Sequence, residues 1–63
     1  MYYDIYIVDK ENTVCITNRN KKEAMRIAVA LYDSNVFKNS YLDEVKSSGE
    51  VRVVYFKDFI LEV

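Results

Sequence analysis

Hydrophobic residues recur at helical spacing in one stretch of the chain, from Asn20 to Tyr32. At about 100° of rotation per residue, one side of this stretch carries Ala24, Ile27, Ala28 and Leu31. The opposite side carries the charged residues Lys22, Arg26 and Asp33. The pattern therefore predicts one amphipathic helix whose apolar side faces a core.

The start of this helix carries a capping signal. Asn20 can accept a hydrogen bond from an amide of the first turn, and Glu23 can reach back to it, as in a capping box. The end is less defined, because Asp33-Ser34-Asn35 weakens the pattern while Val36 and Phe37 could add another turn.

Before the helix, the chain alternates as strands do. Residues 2–8 are mostly β-branched and aromatic, which predicts a first strand with Tyr3, Ile5 and Ile7 toward the helix. The polar residues 9–12 predict a hairpin loop in which Asn12 can take a left-handed conformation. A second strand is expected over residues 13–17, with Val14 and Ile16 facing inward.

After the helix, residues 41–46 predict a third strand and residues 50–56 a fourth. Between them lies Gly49, the only glycine of the chain, which is best explained by a turn that needs a positive φ. In the fourth strand, Val51, Val53 and Tyr55 share one face. Residues 59–63 are expected to form a further short strand or a bulged continuation.

These elements predict a single α+β domain over residues 1–63. Its order is β-β-α-β-β with a short fifth strand as an option, and its sheet is small and mostly antiparallel because hairpins favour antiparallel neighbours. One helix packs on one face of this sheet.

Because the chain is small, self-association is expected to contribute to its stability. A domain of 63 residues buries only about 60% of the surface that its unfolded chain exposes, which leaves stability marginal. The single cysteine, Cys15, cannot form an internal disulfide, and there is no histidine to bind zinc or haem. No cofactor and no metal site are therefore expected.

Charge and hydropathy count against several classes of protein. The net charge of −1 is not that of a typical nucleic-acid binder. The N-terminus lacks a basic leader with an apolar block, and no segment has the roughly 18 apolar residues of a membrane span. The sequence therefore predicts a cytoplasmic protein without a membrane partner.

Catalytic groups are missing from the pattern. Cys15 has no histidine to activate it, and a quiet structural thiol is the simpler interpretation. The acidic pairs Asp9/Glu11 and Asp43/Glu44 are explained by solvated surface charge. The chain is therefore not expected to be an enzyme, and no small-molecule substrate is implied.

The helix carries more apolar surface than one contact needs. A second seam, spaced by four, three and four residues, consists of Met25, Val29, Tyr32 and Val36. Either the C-terminal segment wraps this seam or it is a protein interface, and the second face of the sheet could supply an interface as well. We therefore expect a non-catalytic interaction protein that forms a homodimer or docks on a larger partner.

Binding of single-stranded nucleic acid is the alternative hypothesis. Basic side chains gather near the helix N-terminus, where free amides favour anions: Arg19, Lys21, Lys22 and Arg26. Tyr2, Tyr6 and Phe56 could stack on bases if they share the sheet face away from the helix. Glu23 and the lack of net positive charge count against this hypothesis.

The chain resembles a broad group of small proteins. In size, in its strand-strand-helix-strand order and in its abundance of Asn, Lys, Ile and Tyr, it is similar to small uncharacterised proteins encoded on phages and mobile elements of AT-rich bacteria. The resemblance carries no specific motif and assigns no residue roles. It implies an adaptor or an inhibitor of a host protein.

Overall fold

The computed structural model describes residues 1–62 of the chain. Its elements in chain order are β1 (Tyr2–Val8), β2 (Thr13–Arg19), α1 (Lys21–Ala30), a 3₁₀ turn (Phe37–Asn39), β3 (Tyr41–Val45), β4 (Val51–Tyr55) and α2 (Phe56–Leu61).

The four strands form one antiparallel sheet in the order β2-β1-β3-β4. β1 and β2 make one hairpin, β3 and β4 make another, and β1 pairs with β3 in the centre. The predicted small α+β fold with an antiparallel sheet is confirmed.

Two backbone positions with positive φ shape the hairpins. Gly49 has a φ of 92°, as predicted, and its N–H donates to the Lys46 carbonyl at 2.8 Å to close the β3–β4 turn. The left-handed asparagine is Asn18 (φ 58°) rather than Asn12. Asn18 lies in a bulge that makes β2 two residues longer than predicted, and its N–H donates to Asp4 Oδ1 at 2.9 Å.

Helix α1 begins as its sequence predicts. Asn20 is the N-cap, and its Oδ1 accepts from the N–H of Glu23 at 2.8 Å. The helix ends at Ala30, two residues before the predicted Tyr32, and it does not continue to Phe37. Beyond Ala30 the backbone bonds span three residues instead of four: the N–H of Tyr32 donates to the Val29 carbonyl at 3.1 Å, and the N–H of Ser34 donates to the Leu31 carbonyl at 2.9 Å.

The core lies between the two helices and one face of the sheet. Ile5, Leu42 and Val54 are neighbours across β1, β3 and β4, and all three are buried. The other buried apolar side chains are Tyr3, Ala24, Ala28, Phe56 and Phe59. The helix side predicted to face the core is confirmed, with Ala24 and Ala28 fully buried and Ile27 and Leu31 packed beside them.

Val14 departs from the predicted burial pattern. It was expected to face inward, but its side chain is exposed. Its strand, β2, is an outer strand of the sheet, and most of the buried core lies over β1, β3 and β4. Ile16, two residues further along β2, packs against the edge of that core.

The predicted short strand over residues 59–63 is wrong. Residues 56–61 form helix α2, and Val63 lies outside the described residues. Phe56 and Phe59 are three residues apart and both buried, which a helix allows because positions three apart share a face. In a strand, the same two side chains would point to opposite faces.

Candidate functional site

The sheet face opposite the helices is not covered by any element of residues 1–62. Its side chains alternate along each strand with the buried residues of the core. We call this surface the open face; its residues are Tyr2, Asp4, Tyr6 and Val8 on β1, Thr13 and Cys15 on β2, Tyr41, Asp43 and Val45 on β3, and Val51, Val53 and Tyr55 on β4.

A row of tyrosines crosses the open face. Tyr6, Tyr41 and Tyr55 are paired in register on β1, β3 and β4. The Tyr6 and Tyr41 rings stack with centroids 5.0 Å apart, and the Tyr41 and Tyr55 rings are 5.9 Å apart and tilted. Aromatic rings in such a row present a broad, rigid contact surface with little rotamer freedom to lose.

The tyrosine row continues onto β2 at Cys15, which pairs with Tyr6. Interaction with the Cys15 side chain is the main cause that raises the pKa of Tyr6 to about 12, and removal of the phenol from water comes next. Asp43 and Asp4 add smaller contributions in the same direction, because negative charge disfavours a phenolate. The Tyr6 phenol is therefore harder to ionise in the folded protein than in the unfolded chain.

Two carboxylates lie at the centre of the open face. Asp4 on β1 and Asp43 on β3 are directly opposite each other in the register, and both are half buried. They are the only charged members of the open face. A surface that binds here must therefore accept or compensate negative charge.

The β4 side of the open face is apolar. Val51, Val53 and Tyr55 are 52%, 58% and 50% exposed. Tyr2 and Val45 adjoin them at one end of the strands, since Tyr2 pairs with Val45 and Val45 pairs with Val51. Contiguous exposed apolar surface of this kind is typical of protein interfaces.

The residues predicted as a helix-borne interface differ in their exposure and in the elements that carry them. Met25 and Val36 are half buried, whereas Val29 and Tyr32 are 54% and 61% exposed. Because α1 ends at Ala30, Tyr32 and Val36 lie beyond the helix, in the turns that follow it.

Tyr32 instead belongs to a groove of about 540 Å³ between the end of α1 and α2. Its ring packs edge-on against Phe37, with centroids 5.2 Å apart. The remaining lining residues are Asp33, Lys57, Ile60 and Leu61. The groove is a second, smaller apolar surface on the helical side of the molecule.

The residues of the nucleic-acid hypothesis are divided between two sides of the sheet. Tyr2 and Tyr6 lie on the open face, whereas Lys22 and Arg26 are exposed on α1, which packs on the opposite face. Arg19 is exposed at the end of β2. Phe56, the third aromatic of that hypothesis, is fully buried in the core.

The carboxylates of the open face add a second argument against this hypothesis. Asp4 and Asp43 sit beside the tyrosine row and would repel a phosphate backbone. The geometry therefore does not favour single-stranded nucleic acid as the ligand.

A cluster of ionic side chains lies on the covered face, near the end of α2. Arg52 Nε donates to Glu44 Oε1 at 2.7 Å, and Arg52 Nη2 donates to Glu62 Oε1 at 3.0 Å. These two bonds raise the pKa of Arg52 and tie the last turn of α2 to β4. The nearby Tyr3 is buried, which raises the pKa of its phenol. The cluster therefore joins β3, β4 and the end of α2 through one arginine.

Sequence reasoning missed three residue pairs of the open face: Tyr6 with Tyr41, Asp4 with Asp43, and Tyr6 with Cys15. Alternation along each strand had indicated which residues share a face, and it grouped Val51, Val53 and Tyr55 correctly. Only the pairing of β1 with β3 brings Tyr6 beside Tyr41 and Asp4 beside Asp43. The sequence does contain a signal for that pairing. In β1 an aspartate precedes a tyrosine by two residues (Asp4, Tyr6), and in β3 a tyrosine precedes an aspartate by two residues (Tyr41, Asp43), as an antiparallel pair requires.

A metal site and a membrane-spanning helix are two further possibilities for residues 1–62. No group of three or more Cys, Asp or Glu side chains in this part of the chain is placed to hold a metal ion. None of its helices is long and apolar enough to cross a membrane. In comparisons with known proteins, no family model, curated protein or solved structure matches the chain significantly.

Proposed function

We propose that the protein is a non-catalytic protein-interaction module whose contact surface is the open face. The observation that carries the proposal is the uncovered sheet face, with its tyrosine row and the half-exposed residues Val51 and Val53. A four-stranded sheet with apolar side chains on both faces is stabilised when a second protein surface covers the exposed side.

The chemistry of the face indicates the chemistry of the partner. Asp4 and Asp43 place negative charge at its centre, with aromatic and aliphatic side chains on either side. A partner surface that presents Lys or Arg between apolar side chains complements this arrangement, because charge of opposite sign gives specificity and faster association. The partner is a second copy of the chain, a larger protein, or both in one assembly.

The proposal includes a cytoplasmic location and an origin on a phage or mobile element. Support for these two points comes from the reduced, disulfide-free composition and from the resemblance to small proteins of such elements. In that setting the module would act as an adaptor or as an inhibitor of a host protein.

A matched pair of tyrosine variants tests the proposal. Tyr2 lies on the open face and Tyr32 on the helical side, and both are exposed. Tagged wild-type, Tyr2→Lys and Tyr32→Lys chains are used to capture proteins from an extract of the native host, followed by titration of the purified captured protein. We expect Tyr2→Lys to weaken the measured affinity at least tenfold while Tyr32→Lys matches the wild type.

Charge reversal supplies the second arm of this experiment. Asp43→Lys should weaken the same interaction, since it places a cation opposite the partner's cation. Loss of binding in Tyr32→Lys with retention in Tyr2→Lys would move the contact surface to the helical side. Folding of all variants is checked by circular dichroism.

A further inference from the structure

Strand β4 is an outer strand of the sheet, so one of its edges has no neighbour among the described strands. Two hydrogen bonds show which of its residues bond to β3. The N–H of Lys46 donates to the Glu50 carbonyl at 2.9 Å, and the N–H of Phe56 donates to the Ser40 carbonyl at 3.1 Å. Along an antiparallel pair, the backbone groups of successive residues point alternately toward and away from the neighbouring strand. The backbone N–H and C=O groups of residues 50, 52, 54 and 56 therefore point toward β3.

The intervening residues therefore point their backbone groups outward. Val51 and Val53 each present an N–H and a C=O at the free edge. Tyr55 presents its N–H, while its carbonyl accepts the first bond of α2 because Tyr55 is the N-cap of that helix. The side chains of the same three residues are half exposed on the open face.

The edge of β4 lacks the features that usually prevent strand addition. β4 contains no proline, and its register with β3 is regular over all five pairs. Its one charged side chain, Arg52, is held on the covered face by Glu44 and Glu62. The other outer strand, β2, has a bulge at Asn18 that interrupts its edge.

We propose that two copies of the chain pair antiparallel through β4, with Val53 on the two-fold axis. The two four-stranded sheets then form one continuous sheet. This inference rests on the proposed function, and it names one partner as a second copy. In this register residue 53 faces residue 53 and residue 51 faces residue 55, so the outward groups match except for the Val51 N–H, which faces the Tyr55 carbonyl that α2 already uses.

The hydrogen bonds of this pairing follow from the outward groups. Each Val53 N–H donates to the partner's Val53 carbonyl, which gives two bonds about the axis. Each Tyr55 N–H donates to the partner's Val51 carbonyl, which gives two more. On the open face, Val53 packs against the partner's Val53, and Val51 packs against the partner's Tyr55, so the apolar surface is continuous across the axis.

Charge favours this edge contact over packing of two open faces. Along the edge, Arg52 faces the partner's Val54 and no two like charges meet. Asp43 lies one strand back from the edge and Asp4 two strands back. If two copies instead packed face to face, they would bring two pairs of carboxylates together in one desolvated interface, which is unfavourable.

Proline substitution tests the edge directly. Val53→Pro removes the central outward N–H without removing a bond to β3, and proline is tolerated on edge strands. In sedimentation equilibrium we expect a dimer for the wild type and an at least tenfold larger dissociation constant for Val53→Pro.

Cys15→Pro is the matched control on the other outer strand. The N–H of Asp9 donates to the Asn12 carbonyl at 2.8 Å, so alternation places the Cys15 N–H at the free edge of β2. This variant should dimerise as the wild type does. Circular dichroism and thermal unfolding show whether both variants are folded.

Disulfide cross-linking tests the register. Each variant carries a single new cysteine in a Cys15→Ser background. A mild oxidant accepts the two electrons and two protons that are released when two thiols form a disulfide. In the proposed dimer, position 53 faces itself with Cα atoms about 5.5 Å apart, within the range of a disulfide. We expect Val53→Cys to give a covalent dimer at least tenfold faster than Val51→Cys, because position 51 faces position 55.

The outcomes separate this inference from the proposed function. A wild type that is monomeric at all concentrations, a Val53→Pro variant with unchanged association, or equal cross-linking of positions 51 and 53 would each overturn the β4 pairing. The Val53→Pro chain, if monomeric, can also be tested against the captured partner whose binding Tyr2→Lys weakens. If it still binds that partner, the open face is an interaction surface that does not need the β4 dimer. If neither substitution changes any association, both proposals fail.

Discussion

Asp4 and Asp43 lie directly opposite each other on the two central strands of the sheet. Like charges in this position destabilise a sheet. Asp4 is partly compensated, because its Oδ1 accepts the N–H of Asn18 at 2.9 Å. The two carboxylates destabilise the fold and lie on a face that no described element covers. This arrangement is consistent with selection for binding, because a cationic partner would be attracted to both carboxylates.

The carboxylate pair gives a first prediction. Asp43→Asn should raise the free energy of unfolding by about 0.2–1 kcal/mol, because it removes the repulsion and keeps the shape of the side chain. Urea unfolding at low and high salt measures the effect, which should shrink as salt screens the wild-type pair. Glu11→Gln, in the loop after β1, is the control and should change little. A destabilised Asp43→Asn chain at low salt would contradict the repulsion.

Ser40 gives the second prediction. It is fully buried; its Oγ accepts from the N–H of Val8 at 3.0 Å and donates to the Val36 carbonyl. Ser40→Ala leaves both backbone groups without this partner, so it should lower the free energy of unfolding by about 1–3 kcal/mol. Chemical denaturation compares it with Ser47→Ala in the exposed β3–β4 turn. Equal stability of the two variants would show that Ser40 does not join these segments.

Helix α2 gives the third prediction. Phe59 is 1% exposed, whereas Leu61, two residues later, is 76% exposed. Phe59→Ala should cost about 3–5 kcal/mol, which approaches the whole stability of a domain of this size. Phe59→Leu provides a milder variant that should stay folded. Leu61→Ala should be nearly neutral in thermal unfolding, whereas similar losses at the two positions would favour a strand.

Tyr6 gives the fourth prediction, on pH. Its folded pKa of about 12 lies above the ordinary value of 10.0. The folded state therefore holds this proton more tightly than the unfolded state, and the contribution is fully present below pH 10. It should be lost as the pH rises from about 10 to about 12. In Tyr6→Phe, this part of the alkaline loss of stability should disappear.

Cys15→Ala tests the cause of the shift. It removes the largest contribution, so the pKa of Tyr6 should fall toward the ordinary value, while Asp43 and Asp4 still hold it above that value. Titration of the Tyr6 ring carbon by NMR measures this change. An unchanged pKa would assign the shift to removal of the phenol from water and to the acidic pair instead.

Local pattern was sufficient for the elements whose signals agree with each other. Asn20 caps α1, alternation puts Tyr3 and Ile5 inward, and Gly49 supplies the positive φ of the second hairpin. These features depend on neighbours within a few residues, so one sequence contains them. The antiparallel sheet followed from the short hairpin connections.

The predicted strand over residues 59–63 is wrong for a physical reason. A short apolar run such as residues 59–63 is compatible with a strand and with a buried helix. The helix forms because it lets both Phe56 and Phe59 pack in the core. The helical seam of Met25, Val29, Tyr32 and Val36 assumed a helix that continued past Ala30. The helix ends at Ala30, so Tyr32 and Val36 lie in the turns beyond it, and the interface itself stays a prediction.

By itself the sequence determined the α+β class, the inward face of β1 and α1, and the absence of a histidine-based or disulfide-bonded site, because composition and short-range periodicity fix these. Only the tertiary structure decided that β1 pairs with β3, which places Tyr6 beside Tyr41 and Asp4 beside Asp43 and puts both helices on the other side. Strand pairing joins residues more than thirty positions apart. No local pattern fixes it, since it depends on which arrangement buries the most apolar surface.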